Sequence, residues 1–207
     1  SVVLGITCER CHGPAVDHVN FHQQNQKEKK GKYIINAGNL SRVQQLDACA
    51  FCHSGFRKQL KPSFSFTVGD KLDDFSAAAY APDSGSSLDV HGNQSGLLAS
   101  SKCFTMSQMN CSSCHNVHET QYNAPELFSQ KCMTCHTSAS GKECKFSPPK
   151  KIKLSDNCID CHMPVLPSNN ILLQLPEKQT LYPDYVRTHR IAIYLKNTKD
   201  FLEKKRR

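Results

Sequence analysis

The segment Cys111-Ser-Ser-Cys114-His115-Asn-Val-His118 decides how the rest of this chain is organised. A Cys-x-x-Cys pair followed at once by histidine is the attachment signature of c-type haem. Two cysteines three residues apart can form thioethers to both vinyl groups of one porphyrin, and the adjoining histidine gives the iron its proximal nitrogen. The segment therefore predicts one haem, attached at Cys111 and Cys114 and ligated by His115.

The same motif occurs five times in the 207 residues. One copy alone would also fit a redox dithiol or half of a zinc site. A structural zinc site joins two such pairs around one metal and needs no histidine after the second cysteine, so an odd number of histidine-terminated motifs fits zinc badly. We predict five haems c, and we number the motifs 1 to 5 in chain order: Cys8, Cys11 and His12; Cys49, Cys52 and His53; Cys111, Cys114 and His115; Cys132, Cys135 and His136; Cys158, Cys161 and His162.

The histidines outside the motifs supply candidates for the second axial ligand. Ten histidines are present and five belong to motifs. The five that remain equal the number of predicted irons. If motif 3 is helical, His118 leaves the helix on the same side as His115 and would serve a second haem, with a surface histidine as the alternative. The methionines are weaker candidates that we assign to packing. The predicted distal ligands are His18, His22, His91, His118 and His189.

Two cysteines, Cys103 and Cys144, lie outside the motifs. In an oxidising compartment the default for such a pair is a disulfide. Closing a loop of about 40 residues is expected to stabilise the fold by roughly 4 kcal/mol. A thiolate axial ligand or a free thiol is the alternative.

The size and composition of the chain favour a fold organised by its cofactors. Five haems leave about 41 residues each, which is too little to build an ordinary apolar core around every one. Hydrophobic residues make up only 38%, and tryptophan is absent. We predict a single pentahaem cytochrome c domain over residues 1–207, mainly α with long loops and little β structure.

Local signals place several elements. Gly13-Pro14 should end a helix at His12, and Ser41 is a suitable N-cap for a helix that runs into motif 2. His18 and His22 have helical i, i+4 spacing. Residues 166–183 are predicted to be an extended connector, and a last helix should begin at Asp184 and carry His189, with a short strand at 191–195 as the alternative. The Ser-, Gly- and Pro-rich residues 81–87 should form an ordered loop.

The net charge of +8 is not a nucleic-acid signal once the haems are counted. A bis-histidine ferric haem with two ionised propionates carries about −1, so five lower the total to about +3, and reduction brings it to about −2. The basic runs at 27–32, 150–153 and 204–207 are then a solvated surface, with docking of an acidic partner as the alternative.

No segment approaches the roughly 18 apolar residues of a membrane span. No signal peptide or initiator methionine is present, and the first motif follows almost at once. Thioether attachment takes place outside the cytoplasmic membrane, so we expect a periplasmic or extracellular protein whose leader has been removed, and part of a longer precursor at the start.

The residues around the motifs carry a resemblance to a known group. Gly5-Ile-Thr-Cys8-Glu-Arg-Cys11-His12-Gly-Pro with His18 resembles the GVxCExCHGPGxxH segment of multihaem cytochromes related to the tetrahaem cytochrome c of ammonia oxidisers and to hydroxylamine oxidoreductase. Further similar segments follow in order: His91-Gly-Asn-Gln, Ser101-Lys-Cys103-Phe, Cys111–His118, Cys158–His162 with Met-Pro, and Thr188-His189-Arg-Ile.

This resemblance covers nearly the whole chain. It implies that His18, His91, His118 and His189 are distal ligands, whereas His22 matches nothing in the pattern. Longer relatives carry further haems upstream, so the chain resembles their C-terminal portion.

Together these observations predict electron transfer outside the cytoplasm through five bis-histidine haems. The expected partners are other redox proteins or haem subunits, with a homo-oligomer or filament as a further possibility. The alternative is an oxidoreductase acting on nitrite or hydroxylamine at one open haem. Pentahaem nitrite reductases mark that haem with a lysine in place of the motif histidine, and none of these five motifs has one.

Overall fold

A computed structural model describes residues 5–78, 88–146, 154–176 and 179–204. The fold is mixed, with 40% helix and 14% strand, and the strands form two small two-stranded sheets. The predicted low content of β structure is confirmed, but the fold is not clearly all-α as a mainly α prediction would have it. The chain divides into two compact units, Ser1–Ala79 and Tyr80–Arg207, which we describe separately. None of the described helices is long and apolar enough to cross a membrane.

The first unit contains motifs 1 and 2. Its elements are the helices α1 (Cys8–His12), α2 (Val16–Gln24) and α3 (Arg42–His53), the strands β1 (Arg57–Gln59) and β2 (Ser76–Ala78), and the 3-10 turns Ala37–Asn39 and Leu72–Asp74. The predicted end of α1 is confirmed, since Gly13 follows His12 with φ of 75°. The predicted N-cap is confirmed as well: Ser41 and Gln44 form a reciprocal capping box at the start of α3.

A small apolar core lies behind motif 2. Ala50 of α3 packs with Phe66, Val68 and Leu72, which are all buried. Phe51 stacks on Phe66, with ring centres 5.2 Å apart and planes 11° from parallel. These contacts bury one face of α3 and leave Cys52 and His53 exposed at its end. The core thus holds the middle of motif 2, and the last two residues of the motif are exposed.

The second unit contains motifs 3 to 5. Its helices are α4 (Gln94–Ala99), α5 (Lys102–Thr105), α6 (Pro125–Met133), α7 (Ile159–His162) and α8 (Leu195–Lys204), and its strands are β3 (Val165–Gln174) and β4 (Leu181–Arg187). Short 3-10 turns occupy Cys111–Ser113, Ser138–Ser140 and Leu154–Asp156. Each motif lies in or beside a short helical piece.

Strands β3 and β4 form an antiparallel hairpin whose register shifts between Pro167 and Leu172. Asp89 fills this irregularity by accepting hydrogen bonds from Ser168 Oγ (2.7 Å) and the Asn169 amide (2.5 Å). Burial alone would raise the pKa of Asp89, but these hydrogen bonds and one from the His91 amide hold it below its ordinary value. The hairpin therefore anchors the segment that leads to His91.

Several expected elements differ in the structure. The helix predicted from Asp184 is wrong: residues 181–187 form β4, His189 follows in irregular chain, and the last helix begins at Leu195. Residues 166–183 are mostly hairpin rather than connector, and 191–194 form no strand. The loop at 81–87, the basic run at 150–153 and the last three residues lie outside the described residues.

Candidate functional site

Every motif is built on one helical turn. Motif 1 is α1 itself, and motif 2 is the last turn of α3. In motifs 3, 4 and 5 the histidine amide donates to the carbonyl of the first cysteine, 3.0 Å away in each case. In such a turn residues three apart lie on one face, so the two sulfurs of each motif share a side.

Two motif histidines are each paired at two points with one distant residue. His12 accepts a backbone hydrogen bond from the Ile35 amide (2.9 Å), and its Nδ1 donates to the Ile35 carbonyl (2.8 Å). His162 is held in the same way by Ala192, at 3.1 Å through the backbone and 2.9 Å through Nδ1. The ring is fixed together with the main chain that carries it.

Two further histidines have the same Nδ1 arrangement. His136 Nδ1 donates to the Lys142 carbonyl and His18 Nδ1 to the Lys32 carbonyl, both at 2.7 Å. A carbonyl at Nδ1 places the proton there and leaves Nε2 as the basic nitrogen. Metal-ligating histidines are oriented by such contacts, which also raise their basicity. Four predicted ligands therefore present Nε2 in the form that iron requires.

His115 of motif 3 lies opposite His189. Their ring centres are 6.1 Å apart and their planes 25° from parallel. Two imidazoles on opposite sides of one metal, each bonded at about 2 Å, have ring centres roughly 6 Å apart. The structure thus brings together a predicted proximal and a predicted distal ligand at the spacing that one iron needs.

Buried hydroxyl groups hold the segment that carries His189. Ser101, 1% exposed, accepts a hydrogen bond from the Ile191 amide at 2.8 Å. The neighbouring Thr188, also 1% exposed, donates its amide to the Pro164 carbonyl, and its hydroxyl accepts from the Arg190 amide. These contacts fix the irregular chain on both sides of His189 without a helix or strand.

Helix α2 presents His18 and His22 side by side, as their spacing predicts. Their ring centres are 4.6 Å apart. That distance is too short for two axial ligands of one iron, which need roughly 6 Å. His22 Nε2 is buried and has no hydrogen-bond partner, as expected of a nitrogen whose partner is a bound group. The two histidines therefore fit two different irons.

The remaining predicted ligands, His53, His91 and His118, are exposed. The structure places His91 Nε2 3.5 Å from Asp184 Oδ2. His118 lies in an exposed turn, because the helical turn of motif 3 ends at His115; the premise of one shared helix face is wrong. His53 is the exposed last residue of α3.

The thiols of neighbouring motifs lie close together. Burial raises the pKa of Cys11, and the nearby Cys49 and Cys52 thiols of motif 2 raise it further. A hydrogen bond between the Cys132 and Cys158 thiols lowers the pKa of Cys158 to about 6 and raises that of Cys132. Motif 1 thus adjoins motif 2, and motif 4 adjoins motif 5.

The predicted bridge between Cys103 and Cys144 is not formed in the structure, because neither cysteine belongs to a disulfide. Cys103 is half-buried near Cys114 and Cys132, whereas Cys144 is exposed and near Cys161. Each has a motif cysteine as its neighbour.

These features fit a covalently bound haem. Each motif offers two sulfurs on one face. Four ligand histidines have Nδ1 bound to a backbone carbonyl, His22 has a buried Nε2 without a hydrogen-bond partner, and the rings of His115 and His189 have the spacing of two ligands of one iron. Among the residues described, no three or more His, Cys, Asp or Glu side chains converge in a way that would hold a metal ion by themselves. The motif cysteines and histidines would hold the haem, and the spare histidines would complete the iron's ligands.

Sequence reasoning missed the residues that orient the ligands. Ile35, Lys142 and Ala192 act through backbone carbonyls, which every residue has, so no sequence signal marks them. Ser101 is visible only as one serine among many. No family model, curated protein or solved structure matches this chain.

Proposed function

We propose that this chain transfers electrons outside the cytoplasm through five covalently attached c-type haems. The observation that carries the proposal is the pair formed by His115 and His189, whose rings are 6.1 Å apart. One of them ends a Cys-x-x-Cys-His motif and the other lies 74 residues later in the chain. Such a pair supports a six-coordinate iron, which suits electron exchange better than substrate binding.

The chain's own residues orient the ligands. The carbonyls of Ile35, Lys142 and Ala192 hold Nδ1 of three motif histidines and so direct Nε2 away from the backbone. The haem supplies one-electron exchange between ferric and ferrous iron when it is bound. Axial ligands, burial and nearby charges set the potentials.

The cysteine side chains of neighbouring motifs lie close together, which supports short distances between the haems attached to them. Motifs 1 and 2 meet at Cys11, Cys49 and Cys52, and motifs 4 and 5 meet at Cys132 and Cys158. Each sulfur would carry a thioether, so the haems of each pair would be attached through neighbouring side chains. The partners we propose are other redox proteins or haem subunits, with self-assembly as a further arrangement.

The test combines mass and spectroscopy on the exported, haem-loaded protein. Intact mass should exceed that of the polypeptide by five haems, and a variant with Cys111 and Cys114 both replaced by alanine should carry one haem fewer. Magnetic spectroscopy of the oxidised protein should show low-spin iron. Four or fewer haems with zinc present would overturn the proposal. A dominant high-spin signal with turnover of nitrite or hydroxylamine would replace it with the oxidoreductase.

A further inference from the structure

Arg10, the third residue of motif 1, contains a buried nitrogen with no hydrogen-bond partner. This nitrogen is Nη2 of its guanidinium. The guanidinium lies over the ring of Phe51, 3.9 Å from its centre. Phe51 is itself inside motif 2, between Cys49 and Cys52. The side chain therefore connects two haem-attachment motifs.

The guanidinium of Arg10 forms no ion pair with a carboxylate in the described part of the chain. The adjacent Glu9 accepts a hydrogen bond from the Ala15 amide at 2.9 Å instead. Arginine stays charged at all ordinary pH values. A fixed, partly buried cation thus lies where motifs 1 and 2 meet.

The surroundings of Arg10 strengthen the field of this charge. Arg10 lines a cavity of about 240 Å³ together with Glu9 and the core residues Phe66 and Val68. Charges beside apolar side chains are screened less than charges in water, so they act more strongly on their neighbours. The stacked Phe51 ring keeps the guanidinium in place.

We propose that Arg10 raises the reduction potentials of the haems attached at motifs 1 and 2. The proposal rests on the proposed function, because it needs haems at both motifs. Reduction adds one negative charge to a haem, and a nearby uncompensated cation stabilises that charge. Arg10 is then a potential-setting residue for the two haems attached to the first unit.

The experiment measures all five potentials by spectroelectrochemical titration of the haem-loaded protein. Arg10→Gln and Arg10→Met remove the charge, Arg10→Lys keeps it, and Lys58→Gln removes an exposed cation of the same unit. We expect the two neutral variants to shift two of the five potentials to more negative values and Arg10→Lys to leave them near wild type. At high salt the Arg10 shift should persist, and any shift in Lys58→Gln should vanish.

The outcomes separate this proposal from the proposed function. Wild-type protein without five haems by intact mass would overturn both. Five haems with unchanged potentials in Arg10→Gln and Arg10→Met would overturn the role of Arg10 alone. An equal shift in Lys58→Gln would also overturn it. If one of the two neutral variants loses haem, the comparison of the other neutral variant with Arg10→Lys still tests the role of Arg10.

Discussion

The imidazole rings of His115 and His189 have their centres 6.1 Å apart and their planes 25° from parallel. His115 follows the 3-10 turn Cys111–Ser113 and His189 lies in irregular chain after a hairpin, so no single element holds them together. The spacing fits two ligands of one iron. If motif 3 carries a haem as proposed, His189 would be its second axial ligand and His118 would be available for another haem.

We expect His189→Ala to convert one of five haems from low-spin to high-spin, because one axial nitrogen is lost. Added imidazole should restore the low-spin signal. If His118 serves a different iron, His118→Ala should convert one further haem, and the double variant should show two. A double variant with no more high-spin iron than either single variant would mean that both histidines act on the same haem.

Ser101→Ala should weaken the support of His189. The Ser101 hydroxyl accepts the Ile191 amide at 2.8 Å in a site that is 1% exposed. Removing the acceptor leaves a buried N–H unsatisfied, at a cost of about 1–3 kcal/mol. Denaturant unfolding of the haem-loaded protein measures the loss. Ser112→Ala, at an exposed position of motif 3, is the control and should change stability little.

Gly13→Ala should disturb the two-point pairing of His12 with Ile35. Gly13 has φ of 75° and ψ of −178°, a region nearly restricted to glycine, where another residue costs about 1–3 kcal/mol. A Cβ would also lie 3.1 Å from Ile35 Cδ1. We expect lower stability and a changed spectrum of one haem. Gly5→Ala shares the positive φ but has open space around it, so an equal spectral change there would contradict the role of Ile35.

Asp47→Asn should stabilise the first unit at neutral pH. Burial raises the pKa of Asp47 even though its carboxylate accepts the Leu72 amide at 3.0 Å. A folded pKa above the unfolded value means that stability is highest below the unfolded pKa and falls as pH rises through the folded one. The asparagine variant lacks that fall, so its advantage should be present at pH 7 and vanish near pH 3.

Denaturant titrations of both proteins at the two pH values provide the measurement. Asp74→Asn, at an exposed position in the turn after Leu72, is the matched control. An advantage of Asp47→Asn that is equally large in acid would show that its cause is not the buried charge.

The sequence predicted elements whose signals are local. Ser41 marks the start of α3 because capping depends on residues three apart, and Gly13 marks the end of α1 because few residues adopt its backbone conformation. The helix predicted from Asp184 was wrong, because Pro183 resembles the residue before a helix start whereas residues 181–187 form a strand. There the pairing of β4 with β3 decides the structure, and that pairing depends on residues elsewhere in the chain.

The same distinction applies to the candidate site. The five motifs can be read directly from the sequence, and the helical spacing of His18 and His22 predicted their neighbouring positions in α2. The pairing of His115 with His189 could not be derived, because it depends on buried hydroxyls and on the end of a hairpin. Cys103 and Cys144 looked like partners only because they were left over; in the structure each lies near a motif cysteine instead.

The two-point pairing of His12 with Ile35 and of His162 with Ala192 would separate haem attachment from ligand alignment in time. A motif consists of five consecutive residues, but its histidine ring is aligned only when a residue 23 or 30 positions away is in place. Under the proposed function, haems would be attached motif by motif before the loops close. Because the entropy cost of loop closure grows slowly with length, the segments between a motif and its carbonyl partner are where evolution can insert residues without misaligning the ligand.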